Sequence, residues 1–214
     1  MAKLLIYDTE IKHMILGRNE QLQPGIRYCN GWTDYTGMGI SVLCAYEFDT
    51  ANQNEGTMHT LQPEDDKAHA DHLQGLISRA EYIVGFNNHS FDDKLLAANG
   101  VKIPESKSYD IYMQVLYATG WQQGSYRPGG YKLDLIARAN GIPGKGEVSG
   151  ALAPIMWQQG KIQEVYDYCA ADVLMTLGVL RTILAKNLIC PNRQVVLPVK
   201  TPSEVLGSVQ VGLF

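Results

Sequence analysis

The N-terminal stretch 3–10 begins with an apolar run rich in β-forming residues and ends in two acids. Side chains alternate between the faces of a strand, so residues two positions apart point the same way. Asp8 and Glu10 are therefore predicted to project together, on the face shared by Leu4 and Ile6. Two such carboxylates repel each other unless a shared proton, a basic partner or a divalent cation compensates. No Lys or Arg lies immediately beside the pair. A cation is therefore the candidate of interest, but the pair alone does not outweigh the plainer interpretation, a strand that ends in a polar turn.

The hydrophobic pattern along the rest of the chain predicts a mixture of strands and helices. Further strands are expected at 38–48, 57–61 and 82–86, with a hairpin turn at 52–56 and a candidate edge strand at 195–199. Helical periodicity is found at 65–79, 91–99, 109–119, 132–140 and 162–186. Residues 12–37 are expected to form a long polar and aromatic loop, and 201–214 a tail. This order predicts an α/β domain with a mixed five-stranded sheet flanked by helices.

Composition limits the class of protein. The 214 residues suit one sizeable domain, which we expect at 1–187, followed by a C-terminal extension at 188–214. A net charge of −4 argues against a broad basic surface for non-specific duplex binding. The four cysteines show no CxxC spacing, which is typical of a reduced protein without a zinc site. The sequence has no leader and no membrane-spanning run, so we expect a cytoplasmic protein that has no membrane partner.

A second group of acids occurs at the start of the predicted helix 91–99. Asp92 shares a helical face with Leu95 and Leu96, which should face the core, so Asp92 is predicted to point toward the sheet. Asp93 lies on another face. It is predicted to be solvated, or to act as a helix N-terminal charge favoured by the dipole.

A third group lies within the longest helical pattern, 162–186. Tyr168 and Asp172 are one turn apart on a face that borders the apolar stripe, the position of a residue lining a cleft. Asp167 falls on a different face and is predicted to be a surface acid. Each of these segments, taken alone, is more often an ordinary charge on a helix.

Three motifs follow one another in the chain: Asp8-x-Glu10, Asn87-x-x-x-Phe91-Asp92 and Tyr168-x-x-x-Asp172. In this order they resemble the Asp-Glu-Asp-Asp (DEDD) superfamily of 3′–5′ exonucleases, in its tyrosine-containing (DEDDy) branch. With Gly85 and Phe86 ahead of it, the second motif is most similar to the exonuclease domains of family B DNA polymerases. The stretches 38–42, 110–112 and 132–135 also resemble that family. The resemblance implies a ribonuclease H-like fold and removal of nucleoside monophosphates from DNA 3′ ends, in replication, repair or proofreading.

The resemblance also implies roles for individual residues. Two Mg²⁺ or Mn²⁺ ions would be held by four acids, which with Tyr168 are the candidate catalytic residues: Asp8, Glu10, Asp92 and Asp172. By this resemblance Asp8 bridges both ions, while Glu10 and Asp172 complete the site of the nucleophile. Asp92 acts at the second ion through water, and Tyr168 orients the attacking water. Thr9, Asn87 and Phe91 are the implied substrate contacts, although Phe91 is equally a candidate core residue.

The last five residues, 210–214, resemble the pentapeptide that binds bacterial DNA sliding clamps. In that motif the residues matching Gln210, Leu213 and Phe214 fill a groove on the clamp, and an accessible chain end suits such docking. The alternative is a terminal strand, because Val209 and Val211 alternate. A clamp partner would make single-stranded DNA or DNA 3′ ends the substrate.

Two other functions remain open from the sequence. One is a 3′–5′ exoribonuclease in RNA processing, since discrimination depends on reading the 2′-hydroxyl and no residue can be assigned to that task. The other is a non-catalytic scaffold module at the replication clamp, against which the intact acids and Tyr168 weigh. An endonuclease of the same broad fold is disfavoured, because Tyr168 with Asp172 belongs to the exonuclease pattern.

Overall fold

The computed structural model describes residues 3–17, 21–144 and 150–207. The strands are β1 (Lys3–Ile11), β2 (Met14–Ile15), β3 (Tyr28–Cys29), β4 (Ile40–Asp49), β5 (Asn52–Leu61), β6 (Tyr82–Gly85) and β7 (Ser108–Asp110). Five of them form the central sheet in the order β5-β4-β1-β6-β7, while β2 and β3 form a separate pair. Strand β1 is antiparallel to β4 and parallel to β6, and β6 is parallel to β7. The predicted mixed five-stranded sheet is confirmed.

Helices pack on both faces of this sheet. They are α1 (Tyr35–Met38), α2 (Lys67–Arg79), α3 (Asp92–Ala98), α4 (Ile111–Ala118), α5 (Leu133–Ala139), α6 (Ala153–Gln158), α7 (Ile162–Leu184) and α8 (Pro202–Leu206). A 3₁₀ turn at Gly150–Leu152 precedes α6. Within the described ranges, every helix is too short or too polar to cross a lipid bilayer.

Strand β1 is apolar on both faces because a helical layer covers each of them. Leu4 and Ile6 belong to one buried cluster, together with residues of α7 such as Val173. Leu5 and Tyr7 belong to a second cluster, together with residues of α2 and α3. Burial on both faces explains the continuous apolar run at the start of the chain. The same alternation directs the side chain at position 8 toward the α7 layer.

The three parallel strands β1, β6 and β7 end at the same edge of the sheet. Residues 8–10, 86–87 and 110–112 therefore meet there, although they lie far apart in sequence. In open α/β sheets the carboxyl ends of parallel strands are the usual place for a ligand crevice. This edge is where the sequence places most of its candidate site residues.

The fifth strand lies elsewhere than predicted. Residues 195–199 were expected at the edge, but Val196 makes only an isolated bridge to Ile189. The edge strand is β7, within a stretch predicted as helix from position 109. Three residues are too few for a period-two pattern, and β7 is fixed by parallel pairing with β6.

The hairpin turn between β4 and β5 also differs from the prediction. The chain turns at positions 50 and 51, where the Asp49 carboxylate accepts a hydrogen bond from the backbone N–H of Ala51. Strand β5 then continues through Gly56, which pairs with Phe48. A Cβ at Gly56 would lie 2.4 Å from the Tyr46 ring. Gly56 therefore marks a close approach within a strand and not a turn.

Two segments that were predicted to be irregular contain regular structure. The segment 12–37 holds the parallel pair β2–β3 and the start of α1. The segment 201–207 was expected to be irregular but forms α8. Thr201 and Glu204 cap this helix reciprocally, an arrangement that satisfies two otherwise free backbone N–H groups.

The extension that begins at residue 188 packs onto the same core as the preceding helices. Leu188, Cys190, Leu197 and Val199 are buried in the cluster that contains α7. The Tyr109 hydroxyl donates to the carbonyl of Lys200 at 2.5 Å. The assignment of 1–187 and 188–214 as separate units stays a prediction.

Asp93 lies in the first turn of α3, as one of its two predicted roles requires, but it is a structural acid and not a solvated one. Its carboxylate accepts hydrogen bonds from the Tyr7 hydroxyl on β1, from Asn88 Nδ2 at 3.3 Å and from Ser108 Oγ on β7 at 2.9 Å. Burial raises the pKa of Tyr7 well above its ordinary value, and Asp93 then Asp92 add to this shift. Tyr7 therefore remains a donor. Through Asp93, these bonds attach the start of α3 to the sheet.

We predict that Asp93→Ala lowers the free energy of unfolding by about 2–4 kcal/mol, because part-buried donors lose their acceptor. Chemical denaturation measures this loss. The neighbouring change Asp92→Ala is the matched control. It should cost less, since Asp92 accepts a side-chain hydrogen bond from Thr9, whereas Asp93 accepts from three side chains. An equal or larger loss for Asp92→Ala would contradict the assignment.

Candidate active site

The acids of β1 face the helix α7. Glu10 is buried and Asp8 is partly buried, and Asp8 pairs with Cys44 of β4 in the antiparallel register. A register irregularity follows directly after Glu10. Such bulges are common next to active sites because they redirect the chain as a strand ends.

Helix α7 contributes a third acid from the opposite side. Tyr168 and Asp172 are both buried, with 8% and 7% of their surface exposed. Between them Cys169 packs directly on β1, where its thiol contacts the Asp8 carbonyl at 3.3 Å and the Asp8 carboxylate at 3.6 Å. One oxygen from each of Asp8, Glu10 and Asp172 lies within 4.8 Å of the others. The structure thus brings together three of the four predicted acids.

Asp92 approaches from α3, which covers the other face of the sheet. It is 6% exposed, and its carboxylate accepts a 2.5 Å hydrogen bond from Thr9 Oγ1. Burial raises the pKa of Asp92 to about 7, with the Thr9 hydrogen bond opposing the shift. Asp92 therefore stands beside the three-acid cluster and not within it. Thr9, an expected substrate contact, is 6% exposed and positions this acid.

The acids raise one another's proton affinity. The pKa of Asp8 lies well above its ordinary value, first because of burial and then because of Asp92, Glu10 and Asp172. A cation among these groups would relieve the repulsion. All the clustered ligand atoms are carboxylate oxygens, the donors that Mg²⁺ and Mn²⁺ prefer. The residues present therefore fit a hard divalent ion.

The turn after β6 is held in an uncommon conformation. Asn87 has φ of 65°, a left-handed region that Asn tolerates better than most residues. Asp110 fixes it by accepting hydrogen bonds from the backbone N–H groups of Asn87 at 2.9 Å and His89 at 3.3 Å. The side-chain oxygen of Asn87 is buried and has no hydrogen-bond partner within the described ranges. Asn87 therefore carries an unmet hydrogen-bond acceptor at this turn.

A cleft of about 710 Å³ opens above the acids. Asp8 and Asp172 lie in its lining with Asn87. Its lining also includes the segment 127–134, which leads into α5 and carries two cations, Arg127 and Lys132, and one acid, Asp134. The sequence analysis placed no functional residue in 125–131. The one local feature of 125–131 that hints at function is an Arg between tyrosines. The cleft forms only when this loop folds across the edge of the sheet.

Other predicted site residues are placed differently. Phe91 lies outside the cleft lining and packs edge-on against Trp32 and Tyr35, with ring centroids 6.4 and 6.2 Å apart. This packing joins α3 to the segment that precedes β4. The proposed clamp residues Gln210, Leu213 and Phe214 lie outside the described residues.

One family model matches residues 119–193, about a third of the chain. It is described as a predicted 3′–5′ exonuclease related to the exonuclease domain of PolB. The matched range contains Tyr168 and Asp172 but not the acids of β1 and α3. A search of curated proteins gives no match.

Among solved structures, the chain is similar to the family B DNA polymerase from the hyperthermophilic archaeon Pyrobaculum calidifontis. The TM-score is 0.52 at 16% sequence identity, over 86% of this chain. The chain spans 25% of that polymerase chain. The likeness shows the fold, a ribonuclease H-like mixed sheet flanked by helices.

In the metal-free protein, we expect Asp8→Asn to increase the free energy of unfolding near neutral pH. Because the folded-state pKa of Asp8 is raised, ionising it costs folding free energy once the pH exceeds its ordinary pKa of about 4. The wild type should therefore lose stability relative to the variant as the pH rises. The difference should vanish below about pH 4 and grow as the pH rises toward 8.

Urea denaturation in EDTA across this pH range measures the difference. Asp167→Asn, on the exposed side of α7, is the matched control and should show no comparable pH dependence. A wild type that becomes more stable than Asp8→Asn between pH 5 and 8 would refute the electrostatic account.

Proposed function

We propose that this chain is a divalent-metal-dependent 3′–5′ exonuclease that removes nucleoside monophosphates from DNA 3′ ends, acting in replication or repair. The observation that carries the proposal is the arrangement of Asp8, Glu10 and Asp172, whose oxygens lie within 4.8 Å of one another. Asp8 and Asp172 also line a cleft large enough for a nucleotide. The family-model match and the fold likeness support the same activity.

Four carboxylates are available for two ions. Asp8, Glu10 and Asp172 would hold one divalent cation directly, and Asp92, which Thr9 positions, would serve a second. Bound there, Mg²⁺ or Mn²⁺ supplies an activated water and offsets the charge that develops on the phosphate and on the leaving oxygen. The raised pKa of Asp8 means that its carboxylate gains most from such ions.

Tyr168 completes the proposed site. Its hydroxyl lies against the chain at Gly150, where an added Cβ would come within 2.9 Å of it. A phenol hydroxyl both donates and accepts hydrogen bonds, so we assign it the orientation of the attacking water. With this role, Tyr168 supports our proposal that the chain is an exonuclease of the tyrosine-containing Asp-Glu-Asp-Asp type.

The wall of the cleft suits a polyanionic substrate. Arg127 and Lys132 face a floor of acids, so cations on both sides would offset the charge of a nucleotide chain. The buried, unpartnered oxygen of Asn87 gives the terminal nucleotide a hydrogen-bond acceptor. A chain with a net charge of −4 can therefore bind nucleic acid locally.

The test is a gel of 5′-labelled single-stranded DNA and matching RNA, each incubated with Mg²⁺, Mn²⁺ or EDTA. We expect metal-dependent shortening of the DNA from its 3′ end. Asp172→Ala should lower the rate at least a thousand-fold, because the ions lose a direct ligand. Asp167→Ala, on the exposed face of the same helix, should retain the wild-type rate. Tyr168→Phe should be slow, yet gain as much thermal stability from Mn²⁺ as the wild type.

Other outcomes would assign a different function. Shortening of RNA alone would make the chain an exoribonuclease. Internal cuts would overturn the assignment of direction. Metal binding without cleavage of either strand would favour a non-catalytic scaffold.

We further propose that residues 210–214 bind a bacterial-type DNA sliding clamp. The support is the sequence pattern alone, with Gln210, Leu213 and Phe214 as the contacts. Phe214→Ala should lose at least ten-fold in affinity for an immobilised clamp, because truncating an aromatic anchor commonly costs over 1 kcal/mol. Ser208→Ala should bind as the wild type does. Absence of clamp binding by the intact chain would remove the proposal.

A further inference from the structure

Five side chains form a continuous stacked row that leads away from the cleft. The Phe86 and Tyr112 rings have centroids 5.4 Å apart. The Arg127 guanidinium lies 5.7 Å from the Tyr112 ring and 5.9 Å from the Trp121 ring. The Trp121 ring in turn lies 5.7 Å from Tyr117. Planar groups thus follow one another from the end of β6 to the outer side of α4.

The guanidinium at the centre of this row is held without a carboxylate partner in the described part of the chain. Its polar contact is a 3.3 Å hydrogen bond from Arg127 Nη2 to Ser90 Oγ. Two rings within cation–π distance hold a guanidinium in place without neutralising its charge. Arg127 is therefore prepared to bind an anion from outside the chain.

The loop that carries Arg127 is fixed in place. The indole N–H of Trp121 is shared between the carbonyls of Ser125 at 3.3 Å and Tyr126 at 3.1 Å. These bonds close the turn that brings Arg127 back over α4. A row of rings that only sealed the edge of the core would not need a charged group in its middle.

The row begins in the cleft and ends in solvent. Phe86, Tyr112 and Arg127 line the cleft with Asp8 and Asp172. At the other end, 41% of the surface of Tyr117 is exposed. The row therefore continues beyond the volume that a single terminal nucleotide would fill.

We propose that this stacked row is the track for a single strand of nucleic acid upstream of the 3′-terminal nucleotide. Arg127 binds a backbone phosphate, and bases stack on the rings of Trp121 and Tyr117. Alternating charge and rings is the arrangement by which proteins bind single strands with little sequence preference. The inference rests on the proposed function and names the form of its substrate.

The track is tested by fluorescence anisotropy with a 5′-labelled ten-residue oligothymidylate. The protein carries Asp8→Asn so that the strand stays intact. Adding Arg127→Gln should weaken binding about ten-fold and reduce the slope of log K against log salt by about 0.7, the value for one phosphate contact on a single strand. Arg127→Lys should keep the slope but bind more weakly than Arg127.

Substitutions of the aromatic rings should affect the salt dependence of binding differently from substitutions of Arg127. Trp121→Leu should weaken binding about ten-fold with the salt slope unchanged, because base stacking is lost but no phosphate contact is. Trp121→Phe should restore most of the affinity. Arg79→Gln is the matched control, because it removes one positive charge at the end of α2, away from the cleft. It should leave the affinity for the oligonucleotide unchanged. Thermal melts identify any variant that is not folded.

Two results would overturn the track. One is wild-type affinity for the oligonucleotide in Arg127→Gln. The other is an equal loss for thymidine 5′-monophosphate, which would place Arg127 at the terminal nucleotide alone. The exonuclease proposal would remain intact if either result were obtained while the chain with its native Asp8 hydrolysed DNA normally. Failure of that chain to bind or cleave nucleic acid would remove both.

Discussion

The fold depends on accommodating several carboxylates at the carboxyl end of its central strand. Asp8, Glu10 and Asp172 meet within 4.8 Å, and Asp92 adds to the charge around Asp8. Burying like charges is unfavourable in itself. The apolar layers on both faces of β1 hold the strand in place despite this repulsion. The result is a site whose electrostatics strongly favour a bound divalent cation, at the edge where three parallel strands end.

Adjacent acids in this chain serve opposite purposes because of the elements around them. Asp92 points to the end of β1 and accepts a hydrogen bond from the Thr9 side chain, whereas Asp93 accepts bonds from Tyr7, Asn88 and Ser108. Consecutive residues of a helix point in different directions, so Asp92 faces the candidate site while Asp93 bonds α3 to the sheet. The same contrast separates buried Asp172 from exposed Asp167 on α7.

The local distribution of charge around the cleft matters more for binding than the net charge of the molecule. The floor of the cleft is acidic, while the segment 127–134 in its lining carries Arg127 and Lys132. With cations bound at the floor, both sides of the cleft become attractive to phosphates. A stacked row that includes Arg127 then continues the surface outward. A net charge of −4 is thus compatible with the proposed nucleic-acid substrate, because the proposed binding is confined to one cleft.

The sequence by itself determined the α/β class, the long strands and helices, and the faces of Asp8, Glu10, Asp92 and Tyr168, because these follow from short-range periodicity. It missed β7, the position of the hairpin turn and the helix α8, since short elements depend on pairing, close approach and capping. It did not show that Asp93 bonds to Tyr7, Asn88 and Ser108. The resemblance implied that Asp172 meets Asp8 and Glu10, whereas only the tertiary structure folded the loop of Arg127 over the cleft. Helix α7 lies more than a hundred positions from β1, and Arg127 contacts Ser90 and Tyr112 on other elements, which no local pattern can encode.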